Sequence, residues 1–200
     1  MRPTHHLLLR SISDMEEVEG KCGWCLGSEL YERYHDQEWG KPLRDEQQMF
    51  EFLLLETFQA GLSWITVLRK RESFREVFHG FNVDRVAVMN EDEIQAALQN
   101  PAIIRNQAKI RAAVHNAQCV QRMHDSGATL VEFFWNYVNG EPIQNQWRSL
   151  KEIPASTPLA ERISKDLKKL GFKFVGPTVV YAHMQATGMV NDHLLHCPAR

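Results

Sequence analysis

The chain has 200 residues, of which 44% are hydrophobic and 24% are charged, and its formal net charge at pH 7 is −2. This length and composition are typical of a globular protein with a substantial core and exclude a disordered or low-complexity chain. The longest aliphatic run, Phe52 to Leu55, is far too short to cross a membrane.

The first twenty residues differ in composition from the rest of the chain. Residues 1–20 carry two arginines and four acids, so this segment alone accounts for the negative net charge. We predict that it is a polar extension and that residues 21–200 form one domain. The leucine run 7–9 is too short for a signal-peptide core. With four cysteines and no export signal, we expect a cytoplasmic protein whose cysteines bind metal or stay free.

Helical periodicity begins after Asp45, which is a suitable N-cap residue for a first helix. Further helices are predicted at 63–78, 83–89, 91–98, 104–125, 129–138, 157–170 and 177–187, with glycine and proline breaks between them. No segment alternates polar and β-branched residues in the way that a half-buried strand would. The sequence therefore predicts an all-α fold of eight or nine short helices.

Glu56 occupies the apolar face of the first predicted helix. It lies on the stripe formed by Met49, Leu53 and Ala60, whose spacing places all four residues on one helical face. Burying a carboxylate there is costly unless a cation or hydrogen bonds compensate. Two interpretations stay open: a structural glutamate paired with an arginine or a backbone amide, or a recognition or catalytic carboxylate that faces a pocket.

Aromatic residues are concentrated around the same helix, at Trp24, Tyr31, Tyr34, Trp39, Phe58 and Trp64. Alone, such a concentration is more typical of a core than of a binding site. Together with a single carboxylate, electron-rich rings can form a pocket for a flat cation. An alkylated purine is such a cation, because the added methyl group leaves a positive charge on the base.

The last third of the chain predicts two helices joined by a tight turn, Leu170 to Gly176. The second helix begins after Gly176, where free amide groups can bind a DNA phosphate, and Lys173 lies beside it. Two segments, 101–124 and 162–173, carry a local excess of positive charge. They can contact phosphates or can be ordinary solvated helix faces.

Two pairs of possible metal ligands lie near opposite ends of the chain: Cys22 with His35, and His193 with Cys197. Two thiolates and two imidazoles form a tetrahedral ligand set that Zn²⁺ prefers. His193 and Cys197 are four residues apart, which is the spacing of one helical turn. From the residues alone, a zinc site and an accidental cluster of ordinary positions both stay open.

Several stretches, in this order, closely resemble the 3-methyladenine DNA glycosylase I family between about Lys21 and Cys197. They are Cys-Gly-Trp at 22–24, Tyr-His-Asp-Gln-Glu-Trp-Gly at 34–40, Gln-Ala-Gly-Leu-Ser-Trp-Ile-Thr-Val-Leu at 59–68, Gly-Phe-Lys-Phe-Val-Gly at 171–176 and Val-Asn-Asp-His at 190–193. The resemblance implies a helix-hairpin-helix DNA glycosylase fold. It also implies one structural zinc that joins the N- and C-terminal segments through Cys22, His35, His193 and Cys197.

The resemblance implies a base-excision repair enzyme, a monomer without a membrane partner, that acts on alkylated duplex DNA. It would flip 3-methyladenine out of the helix and hydrolyse its N-glycosidic bond, leaving an abasic site without strand cleavage. The implied base-binding residues are Trp24, Tyr31, Tyr34, Glu56 and Trp64, and Glu56 is also the implied catalytic residue. The implied DNA-binding residues are Leu62, Lys173 and Gly176, with Leu62 entering the base stack.

Some positions depart from the family pattern. Thr57 stands where relatives usually have glycine, and Cys25 and His196 are alternative metal ligands. Alignment with other helix-hairpin-helix glycosylases at the hairpin places Thr178 at the position of their lyase lysine and Asn191 at that of their catalytic aspartate. Without these groups, the resemblance favours a substrate such as 3-methyladenine, which leaves as a neutral base.

Two other functions stay open at this point. One is a broader alkyl-purine glycosylase that also acts on 7-methylguanine or 3-methylguanine. The other is a zinc-stapled module that binds damaged DNA without cleaving the base from its sugar. Release of free bases from methylated DNA separates all three functions.

Overall fold

The computed structural model describes residues 20–59 and 61–200. Within these ranges the protein is mostly helical, as predicted, with ten α-helices and two short strands. The helices are α1 Glu29–Gln37, α2 Glu46–Gln59, α3 Trp64–Leu68, α4 Arg71–Val77, α5 Val83–Ala87, α6 Glu91–Gln99, α7 Gln107–Asp125, α8 Leu130–Asn136, α9 Pro158–Lys169 and α10 Pro177–Ala186. The strands β1 Ile143–Gln144 and β2 Val190–Asn191 pair in parallel. The predicted extension 1–20 lies outside the described residues except for Gly20.

The predicted count of eight or nine helices is too low, and α1 is one reason. Only Tyr34 and His35 are fully buried in this helix, and most of its other residues are charged or polar. It therefore lacks the continuous apolar stripe by which the other helices were predicted. Among the described residues, no helix is long and apolar enough to cross a membrane.

The predicted helix 63–78 is two helices in the structure, α3 and α4. The break falls at Lys70, where φ is −102° and ψ is 1°, and the Lys70 N–H bonds the carbonyl of Val67 three residues back. The change of direction brings the Phe74 ring within 4.7 Å of the Phe58 ring in the core. Asp45 begins α2 as predicted, since its carboxylate accepts the N–H of Gln48 at 2.8 Å.

Helix α2 runs through the centre of the molecule. All its residues from Met49 to Phe58 are buried, and it contacts α3, α7, α8 and α10. A helix buried on all sides has little freedom to rotate or shift, because close packing fixes each of its side chains. Side chains that α2 presents to a cavity are therefore held in a fixed direction.

The connection between α1 and α2 lies against the end of α10. The N–H of Gly40 bonds the carbonyl of Gln185, and the N–H of Leu43 bonds that of Thr187, both at 3.0 Å. Gly188 has a φ of 69°, and a Cβ at this position would lie 2.3 Å from the Lys41 carbonyl carbon. Only glycine permits this approach, which brings the N-terminal and C-terminal parts of the chain together.

Candidate active site and metal centre

A cavity of about 380 Å³ opens between α1, α2, α3 and α10. All five predicted base-binding residues line it: Trp24, Tyr31, Tyr34, Glu56 and Trp64. Its other lining residues are Trp39, Gln59, Leu150, Ile153, Ala182 and Gln185. Trp39 is one of the aromatic residues noted in the sequence around the first predicted helix, although it is not among the predicted base-binding residues. Leu150 and Ile153 lie at a short 3₁₀ helix, Leu150–Glu152, which is far in sequence from α1, α2 and α3, so local pattern gives no signal for them.

The aromatic walls come from three separate segments. Trp24 lies in a short 3₁₀ helix, Gly23–Cys25, and its ring centroid is 4.9 Å from that of Tyr31 on α1. Tyr34, one helical turn after Tyr31, lies 5.5 Å from the ring of Trp64 at the start of α3. These tilted contacts hold the rings around the cavity rather than collapsing them into it.

Glu56 is 4% exposed and has no hydrogen bond or ion pair with any described residue. Burial alone raises the pKa of its carboxyl group to about 8. Glu51, on the same helix and equally buried, instead bonds Arg71 and Arg75. The structural interpretation, a buried glutamate paired with arginine, therefore fits Glu51 and does not fit Glu56. Glu56 is an uncompensated carboxyl group on a cavity wall.

Trp64 adds a second polar group without a partner. Its indole N–H is buried and finds no hydrogen-bond partner among the described residues. Native structures rarely leave buried polar groups unpaired, and ligand sites are a common reason when they do. A flat ligand that carries positive charge and hydrogen-bonding edges would satisfy both Glu56 and Trp64.

A buried cluster of two cysteines and two histidines lies next to this cavity. The possible ligand atoms of Cys22, His35, His193 and Cys197 all lie within 4.8 Å of one another. His193 Nδ1 is 3.1 Å from His35 Nε2 and 3.5 Å from Cys197 Sγ. With ordinary zinc bond lengths, tetrahedral geometry separates two nitrogens by roughly 3.3 Å and nitrogen from sulfur by roughly 3.6 Å. The cluster can therefore bind a metal ion.

Hydrogen bonds to the outer ring nitrogens also fit metal binding. His35 Nδ1 donates to the Asp36 carboxylate at 2.8 Å, and His193 Nε2 donates to the Trp39 carbonyl at 3.0 Å. Each ring thus directs a lone pair toward the cluster. Burial lowers the pKa of His193 to about 4 and raises that of the Cys22 thiol to about 12. A cation would be needed to hold the thiolates, and its binding would release protons.

The structure separates the cluster from its alternative ligands. The Cys25 thiol donates to the carbonyl of Cys22 at 3.0 Å, and His196 is exposed. The helical spacing predicted for His193 and Cys197 is wrong, since these residues lie in a turn closed by the Cys197 N–H on the Leu194 carbonyl. The turn nevertheless brings the two possible ligand atoms together, as a helical turn would, with His193 Nδ1 and Cys197 Sγ 3.5 Å apart.

The cluster and the cavity share a wall. The Trp39 ring lies 4.7 Å from the ring of His193 and 5.0 Å from that of Trp24, and Trp24 is 5.2 Å from His35. Trp24 and Trp39 thus contact both the possible ligands and the cavity. Any ion that fixes the histidines would also fix these two walls.

The three predicted DNA-binding residues lie outside the cavity lining. Leu62 is 40% exposed in the loop after α2, where Gly61 has a φ of 84°. Lys173 is exposed in the turn between α9 and α10. Gly176 precedes α10, and within the part of the chain that the structure describes no side chain caps the first amides of that helix. These amides are therefore available to an anion.

The two basic segments behave differently from each other. In segment 101–124, Arg111 pairs with Glu91, Lys109 is buried, and Arg122 donates to the sulfur of Cys119. Each of these three cations already has a partner within the protein, and Arg105 is a further exposed cation of the segment, so the segment is not a continuous phosphate-binding face. Segment 162–173 retains exposed lysines on α9 and at the turn, together with one pair between Lys169 and Asp166.

Comparison with solved structures first defines the class, a helical DNA glycosylase. A crystal structure of 3-methyladenine DNA glycosylase I is similar with a TM-score of 0.87 and 47% identity, covering 89% of this chain and 98% of that one. A structure of 3-methyladenine DNA glycosylase I from Staphylococcus aureus, which describes the recognition of 3-methyladenine, is also similar, with a TM-score of 0.86 and 36% identity. The match covers 89% of this chain and 95% of that one.

Sequence comparison then identifies the family. The methyladenine glycosylase family model matches residues 24–200. DNA-3-methyladenine glycosylase 1 of Escherichia coli K12 is 48% identical over 177 residues, which are 88% of this chain and 95% of that protein. The Haemophilus influenzae DNA-3-methyladenine glycosylase is 46% identical over 180 residues, 90% and 97% of the two chains. The chain belongs to the methyladenine glycosylase family, which confirms the resemblance found in the sequence.

The raised pKa of Glu56 predicts a specific pH dependence of stability. The unfolded carboxyl group loses its proton near pH 4.5, whereas the folded one keeps it until about pH 8. Between these values the folded state binds more protons, so its stability falls as the pH rises. From about pH 5 to about pH 9 we expect a loss of about 4 kcal/mol that Glu56→Gln does not show.

Thermal or denaturant unfolding of both proteins across this range measures the difference. Glu56→Gln should be more stable than the original protein at the alkaline end and nearly equal to it at the acidic end. Parallel stability curves for the two proteins would show that Glu56 is not an uncompensated buried acid.

Proposed function

We propose that the protein releases 3-methyladenine from alkylated duplex DNA by hydrolysing the N-glycosidic bond, leaving an abasic site. The observation that carries this proposal is the uncompensated carboxyl group of Glu56 in an aromatic-walled cavity. The membership of the family and the names of its relatives support it. Residues 21–200 act as one catalytic unit in this proposal.

Base recognition follows from the charge of the lesion. In DNA, 3-methyladenine is a flat cation, and the rings of Trp24, Tyr31, Tyr34 and Trp64 stabilise positive charge at their faces. Glu56 releases its proton to solvent as this cation enters, and the resulting carboxylate then accepts a hydrogen bond from the exocyclic amine. Unmodified adenine is neutral, so Glu56 would keep its proton beside it and no attraction between opposite charges would form; the pocket therefore favours the cationic base.

Catalysis needs little acid–base chemistry for this substrate. The positively charged base departs as a neutral molecule, so no group has to protonate it first. As the bond breaks, positive charge develops on the sugar, and the anionic Glu56 stabilises that charge electrostatically. We therefore give Glu56 two roles, recognition of the base and stabilisation of the transition state.

The positions of two other residues support release of the base without strand cleavage. Thr178, at the place of the lyase lysine in other helix-hairpin-helix glycosylases, has no amine that could form a Schiff base. The side chain of Asn191 donates to Gln144 and accepts the N–H of His193, and it does not line the cavity. Asn191 thus holds the C-terminal segment in place and takes no part in the chemistry.

DNA binding uses residues around the cavity rather than inside it. Leu62 enters the base stack in place of the flipped nucleotide, as its exposure at the tip of a short loop allows. The ammonium group of Lys173 and the main-chain N–H groups that follow Gly176 and Pro177, at Thr178 and Val179, bind phosphates beside the lesion. The proposed contacts thus surround the cavity of a monomer that receives the flipped base.

We infer that the metal bound by Cys22, His35, His193 and Cys197 is one structural zinc ion. The donor set and the spacings of its atoms suit Zn²⁺, and four protein ligands leave no position for an activated water molecule. His35 and His193 are 158 residues apart, so a metal cross-link between them stabilises the fold by about 5 kcal/mol. The chemistry takes place at Glu56 and not at the metal.

Release of free bases from methylated duplex DNA tests the proposed activity. We expect 3-methyladenine among the products by chromatography, with DNA strands that stay intact until alkali cleaves the abasic sites. Glu56→Gln should lower the single-turnover rate about 100-fold, since removal of one charged stabilising group costs roughly 3 kcal/mol in the transition state.

Glu51→Gln is the matched control, because Glu51 is as buried as Glu56 and lies on the same helix but contacts arginines. This variant should lose stability and keep its rate at temperatures where it is folded. Binding of methylated DNA without any released base would favour a non-catalytic damage-binding module. Equal release of 7-methylguanine would favour a broader alkyl-purine glycosylase.

Metal analysis and chelation test the zinc proposal. We expect one zinc per chain, and its removal should lower the melting temperature by about 10 °C or more, given the cross-link estimate. Activity should fall only as the protein unfolds. Cys197→Ser should lose the metal, whereas Cys25→Ser, which changes a cysteine outside the cluster, should keep it. Loss of turnover with an unchanged melting temperature would contradict a structural role.

A further inference from the structure

Two buried polar side chains lie on one face of α7. Lys109 is 7% exposed and Asn116 is completely buried. They are seven residues apart, so two helical turns place them on the same side of the helix, about 10.5 Å apart along its axis. Burial of an ammonium group and a carboxamide is costly, so the hydrogen bonds that they make explain their presence there.

Lys109 holds the end of α2. Its ammonium group donates to the carbonyl of Phe58 at 3.1 Å, near the C-terminus of that helix. A cation at this end satisfies a carbonyl group that has no partner within the helix and interacts favourably with the helix dipole. The next residue, Gln59, bonds both the N–H and the carbonyl of Leu62, each at 2.7 Å. Lys109 thus fixes the base of the loop that carries Leu62.

Asn116 holds the turn between α9 and α10. Its amide nitrogen donates to the carbonyl of Lys173 at 3.0 Å, and its oxygen accepts the N–H of the same residue at 2.8 Å. The neighbouring His115 donates to the carbonyl of Gly171 at 2.8 Å. The main chain of the turn is therefore fixed, while the Lys173 side chain stays exposed.

We propose that α7 is a rigid spacer between the Leu62 loop and the hairpin turn, with Lys109 and Asn116 as positioning residues for base flipping. The inference rests on the proposed function, because those two loops are the ones that we assign to the DNA. The axial distance between Lys109 and Asn116, about 10.5 Å, is on the order of three base steps at 3.4 Å each. One loop enters the stack while the other binds phosphates nearby, so their separation must be fixed in advance.

A rigid spacer has a consequence that two independent structural bonds would not have. The hydrogen bonds of Lys109 and those of Asn116 each contribute to DNA affinity only while the other set is also present, because both loops must contact one DNA molecule in register. Loss of the hydrogen bonds at either residue therefore removes most of this contribution to DNA affinity, and loss of both removes little more. The cavity itself is unaffected, since neither Lys109 nor Asn116 lines it.

Lys109→Met and Asn116→Leu, singly and together, test the proposal. Lys109→Met keeps the approximate side-chain volume, Asn116→Leu keeps the branched shape with a larger volume, and both remove the hydrogen bonds. Three quantities are measured on each folded protein: the affinity for duplex DNA containing an abasic-site analogue, the affinity for free 3-methyladenine by tryptophan fluorescence, and the melting temperature. Val120→Ala is the matched control, because Val120 is a fully buried residue of α7 that contacts neither loop through a side-chain hydrogen bond.

Each single variant should bind the abasic-analogue duplex about 10-fold more weakly, which corresponds to one lost charged or bidentate hydrogen-bonding group. The double variant should be weaker by about 10- to 20-fold, and not by the product of about 100-fold. Affinity for free 3-methyladenine should stay within about 2-fold of the original. Val120→Ala should lower the melting temperature and leave both affinities unchanged. Lys109→Arg, which keeps a donor, should restore part of the DNA affinity.

Unchanged DNA affinity in both single variants, with only a lower melting temperature, would overturn the proposal. A 100-fold product in the double variant would overturn it too, since the anchors would then act independently. Weaker binding of free 3-methyladenine by these variants would show that the changes disturb the cavity, and this result would also overturn the proposal. Absence of base release by the original protein would refute the proposed function, whereas the DNA affinities would still decide the role of α7.

Discussion

The burial of Glu56 without a partner is the constraint on which the rest of the structure depends. An acid whose pKa is raised to about 8 by burial alone weakens the folded state at neutral and higher pH. The fully buried helix α2 holds it in place, and aromatic rings from three segments keep the cavity open around it. A ligand that brings positive charge would relieve this cost, and in the function that we propose this difference selects a cationic base.

The cysteine–histidine cluster explains how distant segments hold such a cavity. Helix α1 carries Tyr31 and Tyr34 on the cavity wall and His35 in the cluster, so the same helix serves both. Trp24 and Trp39 then contact the two sites at once. A structural ion in this position would join the N-terminal segment that carries these aromatic walls to the C-terminal segment that carries His193 and Cys197, without entering the chemistry.

Much of this arrangement follows from sequence pattern and much does not. Caps and apolar stripes predicted most helices, and the face of α2 singled out Glu56. The sequence pattern does not reveal α1, because the buried face of this helix consists of a tyrosine and a histidine rather than aliphatic residues. Pattern could not decide whether Glu56 is paired with an arginine, since only the fold shows that Glu51 contacts Arg71 and Arg75 and that Glu56 does not. The cavity walls at Leu150 and Ile153 and the anchors on α7 depend on long-range contacts, for which local spacing gives no signal.

The most direct test is the titration of the Glu56 carboxyl group by carbon-13 NMR, with Glu56→Gln used to identify its signal. In the ligand-free protein the carboxyl shift should move with a pKa near 8. Saturation with 3-methyladenine should lower that pKa, because the bound base donates to the carboxylate and favours its charged form. A pKa near 4.5 in the ligand-free protein, or no change on binding the base, would contradict the central role given to this residue.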